Sequence, residues 1–295
     1  MDEHPRTYEG RLLPHPDEEV FDQGLGFDLE TMISRRRLLV MLGSAGLGGG
    51  LLGIAGCGSS SQDSAPNRTA SSSAETTTAG GNASSECSAI PEETTGPYPG
   101  DGSNGPDVLT QSGVVRSDIR PSFGDYSGRA DGIPLTIRIA VRDASNDCRA
   151  LAGASVYVWH CDRDGAYSLY TVANQNYLRG IQETGSDGIA TFESVFPACY
   201  AGRWPHIHFE VYPSLQAATG DATKIATSQL ALPESACTAV YATSGYEQSV
   251  TNLKQVSLRT DNVFGDDGAV HQLGTVAGGV AGGYVVELAV PVSTV

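Results

Sequence analysis

Residues 87–295 predict an all-β fold, a β-sandwich with an ordered N-terminal arm and long loops. Three observations lead there. Apolar and polar residues alternate with period two in several short segments, as strands with one buried face require. Gly and Asp turn signals separate these segments, among them Asp187-Gly188 and Asp267-Gly268. Only residues 233–241 and 247–253 read as locally helical, so the many short strands point to a sandwich or barrel rather than a parallel sheet.

The elements follow in order along the chain. Residues 1–33 are polar and acidic and read as a cytoplasmic leader. Residues 34–57 read as an export signal: Ser34-Arg35-Arg36-Arg37-Leu38-Leu39 resembles a twin-arginine signal, and an apolar, Gly-rich run without a charge follows it to Ile54. That run is marginal for spanning a bilayer, which takes about 20 residues. Ile54-Ala55-Gly56-Cys57 resembles a lipobox, in which Cys57 becomes the lipidated first residue of the mature chain. Residues 58–86 are rich in Ser, Thr, Ala and Gly with almost no large apolar side chain, and read as a disordered tether. Residues 92–123 combine Gly, Pro and Asp with Tyr98, Val108, Leu109, Val114, Val115 and Ile119, and so read as an arm draped over the sandwich. Predicted strands cover residues 134–142, 154–159, 189–195, 206–212, 227–232 and 283–290.

The formal net charge is -16. Nine acidic and five basic residues precede Cys57, which leaves 25 acidic against 13 basic and a net of -12 in the remainder. Such a chain is repelled by nucleic acid and by anionic membrane surface, so no nucleic-acid partner is expected and membrane contact only through Cys57. Besides Cys57 there are Cys87, Cys148, Cys161, Cys199 and Cys237, room for two disulfides and one free thiol in an oxidising compartment, with the pairing open.

The chemistry concentrates in Tyr200-Ala201-Gly202-Arg203-Trp204-Pro205-His206-Ile207-His208, with Tyr167 upstream. On a strand the His-x-His spacing aims His206 and His208 to one side, as two ligands of one ion require. Phenolate is a hard, charged oxygen donor, so two Tyr and two His argue for Fe(III) over Zn(II). A zinc or cupin-like site would need a further His and a carboxylate, and beyond Cys57 the sequence offers only His160 and His271 besides the pair. His160 is read as structural or supporting, and Asp162 with Asp164 as a solvated loop.

Thr94-Thr95-Gly96-Pro97-Tyr98, Trp159 to Tyr167, Arg179-Gly180-Ile181-Gln182 and Tyr200 to His208 together resemble, in this order, the intradiol ring-cleavage dioxygenases. The resemblance runs from about residue 90 onward and is greatest to the secreted branch related to the protocatechuate 3,4-dioxygenase β chain. It implies a sandwich of that type with Fe(III) held by Tyr167, Tyr200, His206 and His208. It implies catalytic roles for Arg203, Gln229 and Tyr200, and a substrate cavity lined by Thr94, Gly96 and Tyr98. Arg179 and Gln182 fit the pattern as bracing residues. The implied reaction inserts both atoms of dioxygen into a catechol-type aromatic and opens the ring between the two hydroxylated carbons. The connection from Tyr200 to His206 is shorter than is usual in the family. An exported protein of this kind, lipid-anchored outside the cytoplasmic membrane or secreted, is expected as a monomer or homodimer. The alternative is a non-catalytic, metal-stapled sandwich that stacks plant or cell-wall polymer on Tyr98, Tyr126, Tyr170, Tyr177 and Trp204.

Overall fold

The computed structural model describes residues 87–220 and 223–294, together with two short strands near the start. Those strands, β1 (Thr7–Tyr8) and β2 (Arg11–Leu12), pair antiparallel within a unit that spans Met1–Gly81. Apart from them, the leader, the twin-arginine-like signal, Cys57 and the tether lie outside the described residues. The second unit, Asn82–Val295, is a two-sheet β-sandwich.

β3 (Pro134–Asp143) is the hub of the first sheet. It pairs antiparallel with β4 (Arg149–Ala150) and β7 (Ile189–Val195), and parallel with β11 (Gly283–Val292). β10 (Thr275–Gly279) closes the edge beyond β11. The second sheet is antiparallel throughout, in the order β6 (Arg179–Glu183), β5 (Ser155–Trp159), β8 (His206–Tyr212), β9 (Ala226–Ala231). Ile137, Ile139 and Phe192 from the first sheet meet Val156, Val158, Ile207, Phe209 and Val211 from the second in one apolar core. Each such side chain contributes about 1.5–3 kcal/mol on burial.

The predicted strands all form, as do helices at Glu234–Tyr241 and Glu247–Leu253. Besides β1 and β2, three strands of the sandwich lacked a sequence signal. β6 is covered on both sides and so does not alternate, β10 is an exposed Gly-bearing edge, and β4 is two residues long. One disulfide forms rather than two: Cys87 joins Cys148, while Cys161, Cys199 and Cys237 are free and buried. These three act as small apolar residues in the packing.

The arm lies over the outer face of the second sheet. Val108, Leu109 and Val114 pack there with Tyr157, Trp159 and Tyr212, forming a second apolar layer, whereas Val115 points to solvent. Buried Arg179 pins the arm by donating to the carbonyls of Pro99 (2.8 Å) and Tyr98 (2.9 Å). Lys224 holds it two residues further on, bridging Asp101 (2.8 Å) and buried Glu210 (2.5 Å).

Candidate metal centre

The pleat of β8 sorts its side chains. Ile207, Phe209 and Val211 enter the core between the sheets, and His206, His208 and Glu210 face the arm. The neighbouring strands complete the site at fixed register, because Gln229 on β9 and Trp159 on β5 both pair with His208. The Trp159 ring stacks on the His208 imidazole at 4.9 Å and 6°.

Two turns deliver the phenols. In the connection from β5 to β6, one oxygen of Asp162 accepts from the backbone N–H of Asp164 and Ala166, and the other accepts from the Tyr177 hydroxyl. This wraps the chain tightly before Tyr167. Gly165 is required in that turn: its φ is +85°, and a Cβ there would lie 3.1 Å from the Cβ of Tyr200. In the connection from β7 to β8, Gly202 at φ +82° reverses the chain between Tyr200 and Arg203. The short link suffices to put Tyr200 Oη 3.2 Å from His206 Nε2.

His206 Nδ1 contacts the Trp204 carbonyl at 2.5 Å. A carbonyl only accepts, so Nδ1 carries the proton and Nε2 presents a lone pair. Three groups converge on that lone pair: Tyr200 Oη, His208 Nε2 at 3.1 Å and Arg203 Nη1 at 3.4 Å. The Tyr167 ring centroid is 6.0 Å from that of Tyr200 and 6.3 Å from that of His208. Burial, with the neighbouring Tyr200, pushes the Tyr167 phenol well above its ordinary pKa. Burial, then Arg203 and the adjacent rings, pushes both imidazoles well below theirs. The histidines are therefore neutral, the state in which they ligate metals.

The residues fit a ferric ion. The His206 Nε2 lone pair faces two donors, Tyr200 Oη and Arg203 Nη1, as well as a second imidazole nitrogen, and the buried Tyr167 hydroxyl has no hydrogen-bond partner. Donor atoms about 2.1 Å from a common ion and near right angles to one another sit about 3 Å apart, which matches the Tyr200–His206–His208 spacings. Among the described residues no group of three His, Cys, Asp or Glu side chains could hold a metal ion. The candidate donor set is two phenols and two imidazoles, and phenolate oxygen is a hard donor of the kind that suits a hard trivalent cation.

The other predicted residues gather around this centre. Arg203 is almost fully buried; its Nε donates to Asp261 (2.9 Å) and its Nη2 to Gln229 Oε1 (2.7 Å). Burial opposes the Arg203 charge, but Tyr200 and Asp261 outweigh it and hold its pKa above the ordinary value. Gln229 spends its other end on the Thr94 carbonyl (3.0 Å), so it links Arg203 to the arm. Thr94 Oγ1 accepts from the Gly96 N–H (3.1 Å), and a Cβ on Gly96, at φ +70°, would press on His208 Cε1 at 3.0 Å. Tyr98 lies 5.0 Å from the Tyr167 ring. Asp261 had no signal in the sequence beyond being an Asp in a polar loop.

His160 plays the structural part read for it, occupied by the Cys161 carbonyl and Ser194 Oγ, both at 2.7 Å. Other expectations change. Asp162 is buried and builds a turn instead of standing in a solvated loop. Arg179 braces the arm, whereas Gln182 donates to the carbonyl of Ile181 beside it. Trp204 and Tyr177 are buried, so they cannot serve as an exposed stacking platform; the Trp204 indole N–H donates to the Leu232 carbonyl (2.9 Å).

No family model and no curated relative matches the chain. Solved structures do. An intradiol ring-cleavage dioxygenase from Tetranychus urticae is 24% identical, with 70% of this chain and 95% of that chain covered and a TM-score of 0.54. A second dioxygenase crystal structure is 23% identical over the same shares, also with a TM-score of 0.54. The chain has the β-sandwich fold of the intradiol ring-cleavage dioxygenases.

Proposed function

We propose that the protein is a non-haem Fe(III) intradiol dioxygenase that inserts both atoms of dioxygen into a catechol-type aromatic and opens the ring between the hydroxylated carbons to a muconate-type diacid. One observation carries this reading: two phenol and two imidazole side chains converge in a buried site with an arginine beside them. Tyr167, Tyr200, His206 and His208 would hold the ion. Bound there, ferric iron supplies Lewis acidity that acidifies a chelating catechol and activates its ring.

The chain's own residues supply the rest. By the resemblance to the intradiol dioxygenases, Tyr200 would be the phenol that takes a catechol proton, and its Oη lies 3.2 Å from His206 Nε2. Arg203 Nη1 faces the same donor atoms and stabilises negative charge developing on the substrate oxygens, an effect of about 3–4 kcal/mol for a fixed donor in comparable sites. Gly96 lets the arm approach His208 closely, and Tyr98 supplies an aromatic wall beside Tyr167. The arm excludes water from that face of the sheet.

Ferric loading of the full chain should give a red-brown protein through tyrosinate-to-iron charge transfer. It should consume dioxygen with catechols, and Tyr167→Phe should keep its fold while its colour weakens and shifts, one phenolate remaining, and its rate falls at least 100-fold. A colourless wild-type protein after iron loading, or one inert toward a panel of catechols that includes protocatechuate, would reject the assignment. The signal-like residues 34–57 support export and anchoring at Cys57; membrane-fraction protein that becomes soluble in Cys57→Ala is the corresponding check.

A further inference from the structure

We infer that Asp261 is the positioning residue that aims Arg203 at the donor face of the candidate metal centre, an inference that rests on the ferric dioxygenase reading above. The Asp261 side chain is fully buried and none of its contacts is with solvent. Its Oδ2 accepts from Arg203 Nε (2.9 Å) and the Trp204 backbone N–H (2.6 Å), and its Oδ1 accepts from the N–H groups of Val263 (2.9 Å) and Phe264 (3.1 Å). Three backbone amides from two segments thus immobilise the carboxylate before it meets the guanidinium.

Planarity does the aiming. With Nε fixed by Asp261 and Nη2 shared between Gln229 (2.7 Å) and Asp261 (3.4 Å), the fork has one remaining arm, and Nη1 lies 3.4 Å from His206 Nε2. The Phe264 ring, 5.9 Å from Arg203 Cζ, closes the guanidinium face. Turning the group away would break three hydrogen bonds in a buried setting, so the donor is pre-aimed instead of being ordered by substrate. Because Gln229 also holds Thr94, the same chain of contacts sets the arm against the site.

An Asn at 261 can accept from Val263 and Phe264, but its amide NH2 then meets the Trp204 N–H and Arg203 Nε, donor against donor. In the ferric full chain, Asp261→Asn should keep its iron, lower kcat for a catechol 10- to 100-fold and change KM less than 3-fold. Added to Arg203→Ala, it should cost no further rate, since both remove one interaction. In the metal-free chain, the Arg203 Nε–H should give an exchange-protected NMR resonance that disappears in Asp261→Asn. Additive rate losses, a retained protected resonance, or loss of iron with kcat per iron unchanged would each overturn the inference. If Asp261→Asn does not fold, Asp261→Glu carries the test: a displaced Nε–H resonance and reduced kcat support the role, and wild-type values of both refute it. An inactive wild type would sink the function while leaving the NMR comparison to judge the positioning.

Discussion

Along β7 and β11 buried residues alternate with exposed or half-exposed ones, whereas every residue of β5, β8 and β9 is buried. The first sheet meets solvent with its outer face; the second is covered there by the arm and the Tyr167 and Tyr200 turns. The covered face carries what an outer face usually carries, polar side chains such as His206, His208, Glu210 and Gln229, but now out of water. Polar groups in that position must be fully partnered or left for a ligand. That is why the unpartnered Tyr167 hydroxyl is informative there, while the same group on the other sheet would be hydrated.

The contrast can be broken by substitution. Phe192→Ala, between the sheets, should cost about 3–5 kcal/mol in denaturant unfolding, because the cavity cannot collapse in a packed core. Arg179→Met, in the covered layer, should cost about 1–3 kcal/mol by orphaning the Pro99 and Tyr98 carbonyls. Its signature should be local, with hydrogen exchange faster at arm amides such as Val108 and unchanged in β3 and β11. Equal acceleration in both sheets would erase the distinction drawn here. The smallest effect concerns Glu93, whose carboxyl is pushed up to about 7 by burial, against the opposing bond from Gln272. Its folded pKa exceeds the unfolded value of 4.5, so the folded state holds the proton longer and stability falls as pH rises from about 4.5 to 7. Melting temperatures across that range should decline more gently in Glu93→Gln than in wild type.

The sequence made the sandwich legible because alternation marks strands whichever side is wet. His206-Ile207-His208-Phe209-Glu210 looks like a strand with a solvated face, and nothing local distinguishes a face covered by a distant arm. The arm itself was visible in Val108, Leu109, Val114 and Ile119, too apolar for a free loop. The cluster of Tyr167, Tyr200, His206 and His208 was foreshadowed by residue type and spacing. The polar frame around it was not: Asp261 earns its place from partners 57 and 58 residues away, and Gln229 from Thr94, 135 residues away. Disulfide pairing stayed open in the sequence for a related reason, since geometry in space, not count, decides which cysteines bond, as Cys87 and Cys148 do across 61 residues.

The ion pair between Arg138 and Glu287 joins paired positions of β3 and β11 that are 149 residues apart. No stretch of chain short of that length contains this pairing, whereas β3 and β7 can pair within residues 134–195. Completing this sheet must then come late, after most of the domain is in place, and non-local pairing of this kind slows folding. Until it happens, β11 and the edge of β3 that receives it are open to other chains, so the interval between synthesis and closure, rather than the finished molecule, is when this protein is most exposed to aggregation and to proteases.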